Sequence, residues 1–334
     1  MNPFVKNGYL SPIASINSVY VDDIQSIELF RPTLIVEEIL KQRELFSIKE
    51  TMNQKDVLKQ FNQLLISEFE LIRIEANKIA ETFGERLAKV IITLLNPSEL
   101  SVLNRVDWTQ KHWDYWKTIR EIYFVGGLTS PLLTNIFFKK IQEALKLNGI
   151  NDVHISFIEG SSHIGTEGLA TLVDNGEYLL FDFGQTNIKR ARILKAHGKI
   201  VVDTKLESID SDYLFYKYYS GEELIRIADD LHDYIMSVIS KTVEDTDFNG
   251  EIIHMAIANY INNGSIYSSR GGYGKLALID ENYESFLSKE LSDRFKRKIF
   301  VKLHHDTSAM ALIFKGKPNT AVISLGTAFG VAFT

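Results

Sequence analysis

Residues 177–194 read EYLLFDFGQTNIKRARIL, and this stretch decides the fold that we predict. Residues 178–181 favour β-strands, and an apolar alternation resumes at Ile188 after a polar break. Gly184 lies inside that break and permits a turn that a bulkier residue disfavours. The stretch therefore predicts a β-hairpin with a polar tip.

The tip combines residue types that suit a phosphate site. Asp182, Gly184 and Thr186 supply a carboxylate, a glycine and a hydroxyl within five residues, and Lys189 follows them. Such residues allow backbone amides and a metal ion to meet a phosphate group. An ordinary hairpin with a polar turn explains the same residues, so this stretch alone leaves both interpretations open.

The composition indicates a globular protein of about two domains. Of the 334 residues, 45% are hydrophobic and 24% are charged. The net charge of −6 argues against nucleic acid as the main partner, and the absence of cysteine excludes disulfides and thiolate metal sites. The first residues lack a signal-peptide pattern, and no run reaches the roughly 18 apolar residues of a membrane span. We therefore expect a cytoplasmic protein with no membrane partner.

The N-terminal part is predicted to be mainly helical. Asn7-Gly8 favours a short strand pair, and apolar residues at three- and four-residue steps predict packed helices over residues 33–96. The segment 98–118 holds Trp108, Trp113 and Trp116. It suits a lid or an oligomer contact, but we favour a satellite hydrophobic cluster.

Two glycines follow the next predicted strand, which covers residues 121–125. Gly126 and Gly127 separate this strand from a helix for which Ser130 is a good N-cap residue, and Thr129 lies just before it. Glycines at a helix N-terminus let a flat or anionic ligand approach the backbone. A tight turn without a ligand is the alternative.

The C-terminal half alternates strands with helices, which indicates an α/β organisation. Residues 299–303 form a predicted strand that ends in His304, His305 and Asp306, where a helix begins. Open α/β sheets place reactive groups at such strand ends, although Asp306 also fits as a simple helix cap. The last strand is followed by a second hairpin-like tip that contains Gly326, Thr327 and Gly330.

These pieces together resemble a known superfamily. DFGQTNIK (182–189) and SLGTAFG (324–330) resemble the two phosphate motifs of the sugar-kinase, actin and heat-shock ATPase superfamily. FVGGLTS (124–130) resembles its adenosine motif, and HHDTSAMA (304–311) resembles the helix start that carries the catalytic aspartate. The chain is most similar to the ROK group of bacterial sugar kinases. The motif order differs from that group, and a circular permutation restores it.

The resemblance implies an α/β, two-lobed, ribonuclease H-like (actin-like ATPase) fold that is circularly permuted. The larger lobe would comprise residues 1–145 and 300–334, and the smaller lobe residues 146–299. The two glycine/threonine tips are then expected to face each other across a cleft. Close termini at the surface make such a permutation physically tolerable.

The implied activity is ATP-dependent transfer of a phosphoryl group to a sugar hydroxyl, as in a hexokinase or glucokinase. The implied cofactors are ATP and Mg²⁺, the implied partner is a small sugar acceptor, and the resemblance also allows a homodimer. Asp306 would accept the hydroxyl proton, and Asp182 would orient Mg²⁺ through water. The remaining implied contacts are Gly184, Thr186, Lys189, Gly326, Thr327 and Gly330 with phosphate, Gly126, Gly127 and Thr129 with adenosine, and Asn259, Tyr260, Arg270 and His305 with the acceptor.

The chain also departs from the ROK pattern. Ala328 stands where glycine is usual in the second phosphate motif, and His305 precedes Asp306 where asparagine is usual. The Glu-x-Gly-His sugar contacts and the cysteine zinc cluster have no counterpart. Two alternatives therefore stay open: a catalytically impaired nucleotide- or sugar-binding regulator, and a kinase for a non-sugar hydroxyl.

Overall fold

The computed structural model describes residues 1–211, 221–267 and 271–334. The described strands are β1 (Val5–Lys6), β2 (Tyr9–Leu10), β3 (Tyr20–Val21), β4 (Ile24–Gln25), β5 (Glu121–Val125), β6 (His154–Phe157), β7 (Gly176–Phe183), β8 (Asn187–Ala196), β9 (Lys199–Asp210), β10 (Ile252–Ile257), β11 (Ile261–Asn262), β12 (Ser265–Ile266), β13 (Phe300–His305), β14 (Thr320–Leu325) and β15 (Phe329–Phe333). Strands alternate with helices along most of the chain, so the fold is mixed α/β.

The described α-helices are α1 (Ser26–Leu29), α2 (Pro32–Lys41), α3 (Gln54–Leu64), α4 (Glu70–Leu95), α5 (Glu99–Asn104), α6 (Gln110–Lys117), α7 (Pro131–Leu147), α8 (Ile164–Ala170), α9 (Glu222–Asp245), α10 (Tyr283–Phe295) and α11 (Asp306–Ala311). Helices α2 to α4 confirm the helical block predicted for residues 33–96. None of the described helices is both long enough and apolar enough to cross a membrane.

The chain divides into two compact units. Unit 1 comprises Met1–Pro3, Ile13–Ser161 and Gly316–Thr334, and unit 2 comprises Phe4–Pro12 and Ser162–Lys315. These boundaries differ from the predicted lobes of residues 1–145 plus 300–334 and residues 146–299. The reason is strand pairing: β6 pairs with β5 in unit 1, and β13 pairs with β10 in unit 2.

Unit 2 is built on a five-stranded sheet with the order β13-β10-β7-β8-β9. The predicted hairpin is confirmed, because β7 and β8 pair antiparallel from Gly176↔Lys195 to Phe183↔Ile188. Strand β9 pairs antiparallel with β8. On the other side of β7, β10 and β13 are added in parallel. The carboxyl ends of β7, β10 and β13 therefore lie at one edge of the sheet.

Alternate residues of β7 enter two different cores of unit 2. Leu179, Phe181 and Phe183 pack in a cluster with apolar residues of α9, α10, β10 and β13. Tyr178 and Leu180 pack on the opposite face with residues of α8 and α11. Both faces of β7 are covered, so Asp182 on this strand is placed in an interior environment.

Unit 1 contains a four-stranded sheet with the order β15-β14-β5-β6. Strand β14 pairs antiparallel with β15 and parallel with β5, which in turn pairs parallel with β6. Its helical part includes α4 and α7, and Phe30 packs edge-on against Phe83 and Phe137 of these helices. The two sheets share one pattern, in which an antiparallel hairpin is extended by two parallel strands beside its first strand.

The tryptophan segment belongs to the interior of unit 1. Trp113 and Trp116 are fully buried, and Trp108 is buried beside Trp113 with ring centroids 4.7 Å apart. Trp116 also contacts Phe333 of β15 at 5.2 Å. These contacts confirm the hydrophobic cluster favoured from the sequence, since buried side chains of this kind stabilise the unit itself.

Candidate functional site

The candidate site lies at the carboxyl-terminal edge of the parallel strands of unit 2. Asp182 is the penultimate residue of β7, and Asp306 follows directly after β13 as the first residue of α11. Between them, β10 ends at Ile257 and leads into Asn259 and Tyr260. Reactive groups in open α/β sheets are positioned at this edge, because parallel strands deliver their ends to one place.

Asp182 is an almost completely buried carboxylate. Its side chain is 2% exposed, and its Oδ2 lies 4.0 Å from Nζ of Lys189, its register partner on β8. Among the described residues, its Oδ1 has no hydrogen-bond partner. Burial raises the pKa of Asp182 to about 6, the charge of Asp306 acts in the same direction, and Lys189 opposes the shift. An unpartnered buried oxygen is costly, so this atom is suited to a ligand.

A glycine of α8 makes room for this carboxylate. A Cβ atom at Gly165 would lie 2.7 Å from Asp182 Oδ2, well inside van der Waals contact. The helix can approach the β7 carboxylate only because position 165 has no side chain. The sequence gave no sign that this glycine faces Asp182.

Gly184 is required for a steric reason that differs from the predicted one. Its φ lies outside the left-handed region, so the turn itself does not demand glycine. A Cβ at this position would lie 2.9 Å from the carbonyl oxygen of Asn187 and 3.4 Å from Lys189 Nζ. Glycine thus lets the two hairpin strands and the lysine approach each other.

The backbone of the hairpin tip is held by two hydroxyl donors that were not predicted from the sequence. Ser211 Oγ donates to the Gly184 carbonyl oxygen at 2.9 Å, and the Tyr273 hydroxyl donates to the same oxygen at 3.0 Å. Thr186 is exposed at the tip and its carbonyl oxygen accepts from the Ser211 amide at 3.0 Å. The tip therefore has a fixed conformation while its threonine side chain remains accessible.

Asp306 begins α11, but the N-cap residue is His305. His305 Nδ1 accepts from the Ser308 amide at 3.3 Å, so the interpretation of Asp306 as the helix cap was wrong by one residue. Asp306 Oδ1 instead accepts from the Thr307 amide at 2.6 Å and from Thr307 Oγ1 at 3.2 Å. Burial raises the pKa of Asp306 to about 6, while the Thr307 hydrogen bonds and Lys189 lower it. A carboxylate with this pKa is a better proton acceptor near neutral pH than an ordinary one.

His163 is a site residue that the sequence analysis missed. It precedes α8, and its Nδ1 is buried with no hydrogen-bond partner among the described residues. Burial lowers the pKa of His163; the charges of Lys205 and Glu167 act in opposite directions, and so, more weakly, do those of Lys189 and Asp182. The histidine therefore shares the electrostatic environment of the Asp182 carboxylate. A histidine between the β6 strand and a glycine-containing helix was the only sequence signal for it.

The predicted acceptor residues are partly placed together. The Tyr260 ring stacks on the His305 imidazole at 4.5 Å with an interplanar angle of 10°. Asn259, which precedes Tyr260 in the chain, is buried, and its backbone amide donates to the Ile257 carbonyl oxygen at 2.7 Å. Arg270 lies outside the described residues.

In unit 1, the predicted adenosine residues lie in the turn between β5 and α7. Gly126 has a φ of +105°, and a Cβ there would lie 3.1 Å from the Leu325 carbonyl oxygen, so the fold requires this glycine. Gly127 has no atom within 4 Å of a Cβ position and no left-handed φ. Thr129 is buried, and its Oγ1 donates to the Gly126 carbonyl oxygen at 2.8 Å. The fold explains Gly126 and Thr129 but gives no structural reason for Gly127.

The second predicted phosphate tip joins β14 to β15 in unit 1. A Cβ at Gly326 would find only the Ala328 carbonyl oxygen at 3.7 Å, an ordinary contact. Thr327 is exposed, and the Gly330 amide donates to Ser324 Oγ at 3.1 Å. Asn17 binds the amide and carbonyl of Phe329 with its side chain. This tip is therefore anchored on one side, while Gly326 has no packing role that alanine could not fill.

No protein-family model matches this chain, and no curated protein matches it significantly. Among the described residues, no group of three or more histidine, cysteine, aspartate or glutamate side chains forms a metal cage. The chemistry of the site therefore has to be inferred from the geometry around Asp182 and Asp306.

Proposed function

We propose that this chain is an ATP-dependent phosphotransferase that acts on a sugar hydroxyl, with the circularly permuted, actin-like ATPase fold of the ROK group. The observation that carries the proposal is a pair of carboxylates at the carboxyl ends of parallel strands: Asp182 is buried, the side chain of Asp306 is 20% exposed, and the charge of Lys189 acts on both. A pure binding protein has less need of two neighbouring strand-end carboxylates with raised pKa values.

The sheet topology supports the permuted fold. A two-lobed fold of two related halves is expected to contain two sheets of equivalent order, and β9-β8-β7-β10-β13 and β15-β14-β5-β6 are equivalent except for one strand. In unit 1 the two parallel strands precede the hairpin in the chain, as a permutation would produce. The hydrogen bonds of Asn17 to Phe329 join the N-terminal segment to β15.

Mg²⁺ fits the surroundings of Asp182. In nucleotide sites this ion commonly binds through one or two carboxylates and phosphate oxygens while it keeps several waters. Asp182 offers the buried, unpartnered Oδ1 described above, and Lys189 balances part of the charge. A bound Mg²⁺ would neutralise negative charge on the phosphates during transfer.

The side chains of unit 2 have separate tasks in this proposal. Asp306 accepts the proton of the acceptor hydroxyl, a contribution of about 10²–10⁴ in rate. Lys189 and the backbone around Gly184 and Thr186 hold phosphate oxygens. Asn259 and Tyr260 would border the acceptor.

In unit 1, we assign the nucleotide contacts to the two glycine turns. Gly127 and Gly326 have no structural requirement for glycine, which is the pattern expected where a ligand passes close to the backbone. Gly126, Thr129, Thr327 and Gly330 complete these turns. The methyl group of Ala328 is the feature that most favours the regulator alternative, because it narrows the approach to a phosphate.

The test is acceptor-dependent ADP release from MgATP across hexoses, amino sugars and small non-sugar alcohols. We expect saturable release with at least one sugar, and a decrease of kcat by about 10²–10⁴-fold in Asp306→Asn. Asp56→Asn is the matched control, because it removes an exposed carboxylate from the first turn of α3 and should leave kcat unchanged.

Other outcomes would replace the proposal. Turnover only with non-sugar alcohols would support the second kinase alternative. A thermal shift with MgATP or a sugar, without turnover, would support the regulator. Neither binding nor turnover, or turnover that Asp306→Asn leaves intact, would refute the phosphotransferase proposal.

A further inference from the structure

The five-stranded sheet of unit 2 ends in β13 on one side and in β9 on the other, and the two edges differ. The edge of β13 is covered by α10, because the amides of Val301 and Leu303 donate to Ser288 Oγ at 2.9 Å and to Glu284 Oε2 at 2.8 Å. Strand β9 is 12 residues long and largely exposed, and no described strand pairs with it on the side away from β8. An uncovered edge of this length can accept a further strand.

The hydrogen bonds between β8 and β9 show which residues of β9 face this open side. The Ser211 amide, just beyond β9, donates to the Thr186 carbonyl oxygen, just before β8, at 3.0 Å. Alternate residues of an antiparallel strand bond to the same neighbour, so the even-numbered residues of β8 bond to β9. Their register partners between the two bulges are Val202, Thr204 and Leu206. The backbone amides and carbonyls of Asp203 and Lys205 therefore point away from β8.

Residues 202–206 read VDTKL, a sequence that is complementary to itself in antiparallel pairing. When Thr204 lies opposite Thr204 of a second copy, Asp203 of each copy lies opposite Lys205 of the other. On the other face of the strand, Val202 lies opposite Leu206, and both side chains are half-buried in the single chain. Cross-strand pairs of opposite charge and pairs of apolar side chains stabilise a sheet. The edge thus matches a second copy of itself.

Other registers lack this match. Pairing centred on Asp203 places two aspartates opposite each other, and pairing centred on Lys205 opposes two lysines and also Asp203 to Glu207. Like charges in direct opposition destabilise a strand pair. A shift of one residue brings Asp203 opposite a residue whose backbone groups already bond to β8. Charges on edge strands commonly prevent pairing, but the alternating signs here favour one register.

We propose that β9 is a homodimer interface, in which two copies pair antiparallel through residues 202–206 about a two-fold axis at Thr204. The two five-stranded sheets then form one continuous sheet, and each Asp203–Lys205 pair exchanges two backbone hydrogen bonds. Lys205 also pairs with Glu167 of α8, but its side chain is 42% exposed and is accessible to a second copy. The interface is small, so we expect a dimer that dissociates in the micromolar range. The resemblance to sugar kinases allowed a homodimer but gave no surface for it.

Sedimentation velocity of the full chain from about 1 to about 200 µM measures the dimer directly. We expect a monomer at the lowest concentration and mainly dimer at the highest. Asp203→Lys converts both opposite-charge pairs into lysine pairs and should raise the dissociation constant about 10–100-fold. The double variant Asp203→Lys/Lys205→Asp restores opposite charges and should return within about fivefold of the wild type. Lys205→Pro removes an outward amide that does not bond to β8 and should abolish the dimer.

The absence of cysteine from the chain permits a direct test of the register. In pairing centred on Thr204, the two copies of this residue are a non-hydrogen-bonded pair with Cα atoms about 4.5 Å apart, within the range of a disulfide. Thr204→Cys should therefore give a covalent dimer on mild oxidation. The matched control is Ile200→Cys, a change at a 45% exposed residue of the same strand. Its two thiols would lie about 25 Å apart and should stay unlinked.

A monomer at about 200 µM, or equal cross-linking of the two cysteine variants, would overturn the proposal. A dimer that Asp203→Lys and Lys205→Pro both leave unchanged would use another surface and would refute it as well. Circular dichroism of each variant checks that the fold is retained, and if Lys205→Pro fails to fold, the charge reversal and its double variant decide. Near about 1 µM the chain is expected as a monomer, so Asp203 is then an ordinary exposed residue.

Discussion

At the carboxyl-terminal edge of the unit 2 sheet, β7 and β13 lead into the carboxylates Asp182 and Asp306. At the corresponding edge of the unit 1 sheet, β14 and β5 lead into turns of small polar and apolar residues, and β6, the equivalent of β13, leads into Glu159, whose carboxylate is exposed rather than buried. The strand order of the two sheets is equivalent, so the fold alone does not determine this difference. Side chains at the strand ends determine it.

The difference indicates which kind of residue lowers the stability of each unit. A buried carboxylate loses hydration that its few partners in unit 2 do not replace, so the buried charge lowers the stability of unit 2. Glycine turns lose conformational entropy on folding but bury no charge. We therefore expect substitutions at the unit 2 edge to have large and sometimes stabilising effects, and substitutions at the unit 1 edge to have small ones.

The largest effect is expected for Gly168→Ala, which changes the packing of α8 against α11. A Cβ at Gly168 of α8 would lie 1.8 Å from the carbonyl oxygen of Ala309 in α11, the helix that begins with Asp306. A backbone atom cannot move aside as a side chain can, so the two helices must separate. We expect a loss of about 3 kcal/mol or more in the free energy of unfolding, measured by urea denaturation.

The matched substitution in unit 1 is Gly84→Ala in α4. There the Cβ would lie 3.1 Å from Cγ of Lys140, whose flexible side chain can shift, and 3.3 Å from the Cα of Phe137, so the two helices need to give by only a few tenths of an ångström. Alanine also improves helix propensity by about 1 kcal/mol, so the net change should stay within about 1 kcal/mol. Equal destabilisation by the two substitutions would contradict the contrast between the units.

The next effect is a gain in stability from Asp182→Asn. The ordinary pKa of this carboxyl is 3.8, and burial raises it to about 6 in the folded protein. Between these values the folded state holds a proton that the unfolded chain has lost, so stability falls as pH rises from about 4 through about 6. At pH 8 the asparagine variant should be more stable than the wild type by on the order of 2–3 kcal/mol, a gain that disappears near pH 4.

The measurement is the free energy of unfolding from pH 4 to pH 8, in the absence of nucleotide and metal. Asp203→Asn, an exposed change on β9 of the same sheet, is the control and should give the same pH profile as the wild type. A lower stability of Asp182→Asn at pH 8 would show that the buried charge is compensated, and the contrast between the two edges would then be lost.

Much of the fold could be predicted from the sequence because its signals are local. The alternation around residues 177–194 predicted β7 and β8, and β5 before Gly126 and α7 after Ser130 lie where the sequence predicted a strand and a helix. The division into units depends on pairings such as β13 with β10, which are non-local and leave no periodic trace. The sequence therefore predicted elements better than it predicted their grouping.

The site followed the same rule. Asp182 and Asp306 were identified because each stands at the end of an apolar strand. Gly165, His163 and the donors Ser211 and Tyr273 were missed, since their importance comes from contacts between distant segments. Gly184 was identified for the wrong reason, because a glycine that avoids a clash and a glycine that permits a turn look the same in a sequence.

The smallest effect is expected in the turn after β5 of unit 1, where the adjacent glycines Gly126 and Gly127 can be compared directly. Gly127→Ala adds a methyl group to open space at a residue without a left-handed φ, so the free energy of unfolding should change by no more than about 0.5 kcal/mol. Gly126→Ala puts the same methyl group on a residue with φ +105°, 3.1 Å from the Leu325 carbonyl oxygen, and should cost about 1–3 kcal/mol.

Calorimetric titration with MgADP then distinguishes folding from binding at this turn. If Gly127 is glycine because a nucleotide passes close to it, Gly127→Ala should weaken MgADP binding about tenfold while its stability stays at the wild-type value. Such a change corresponds to about 1.4 kcal/mol of binding free energy. Unchanged affinity in Gly127→Ala would mean that this glycine has no role in binding. The turn after β5 would then no longer be a candidate nucleotide-binding site.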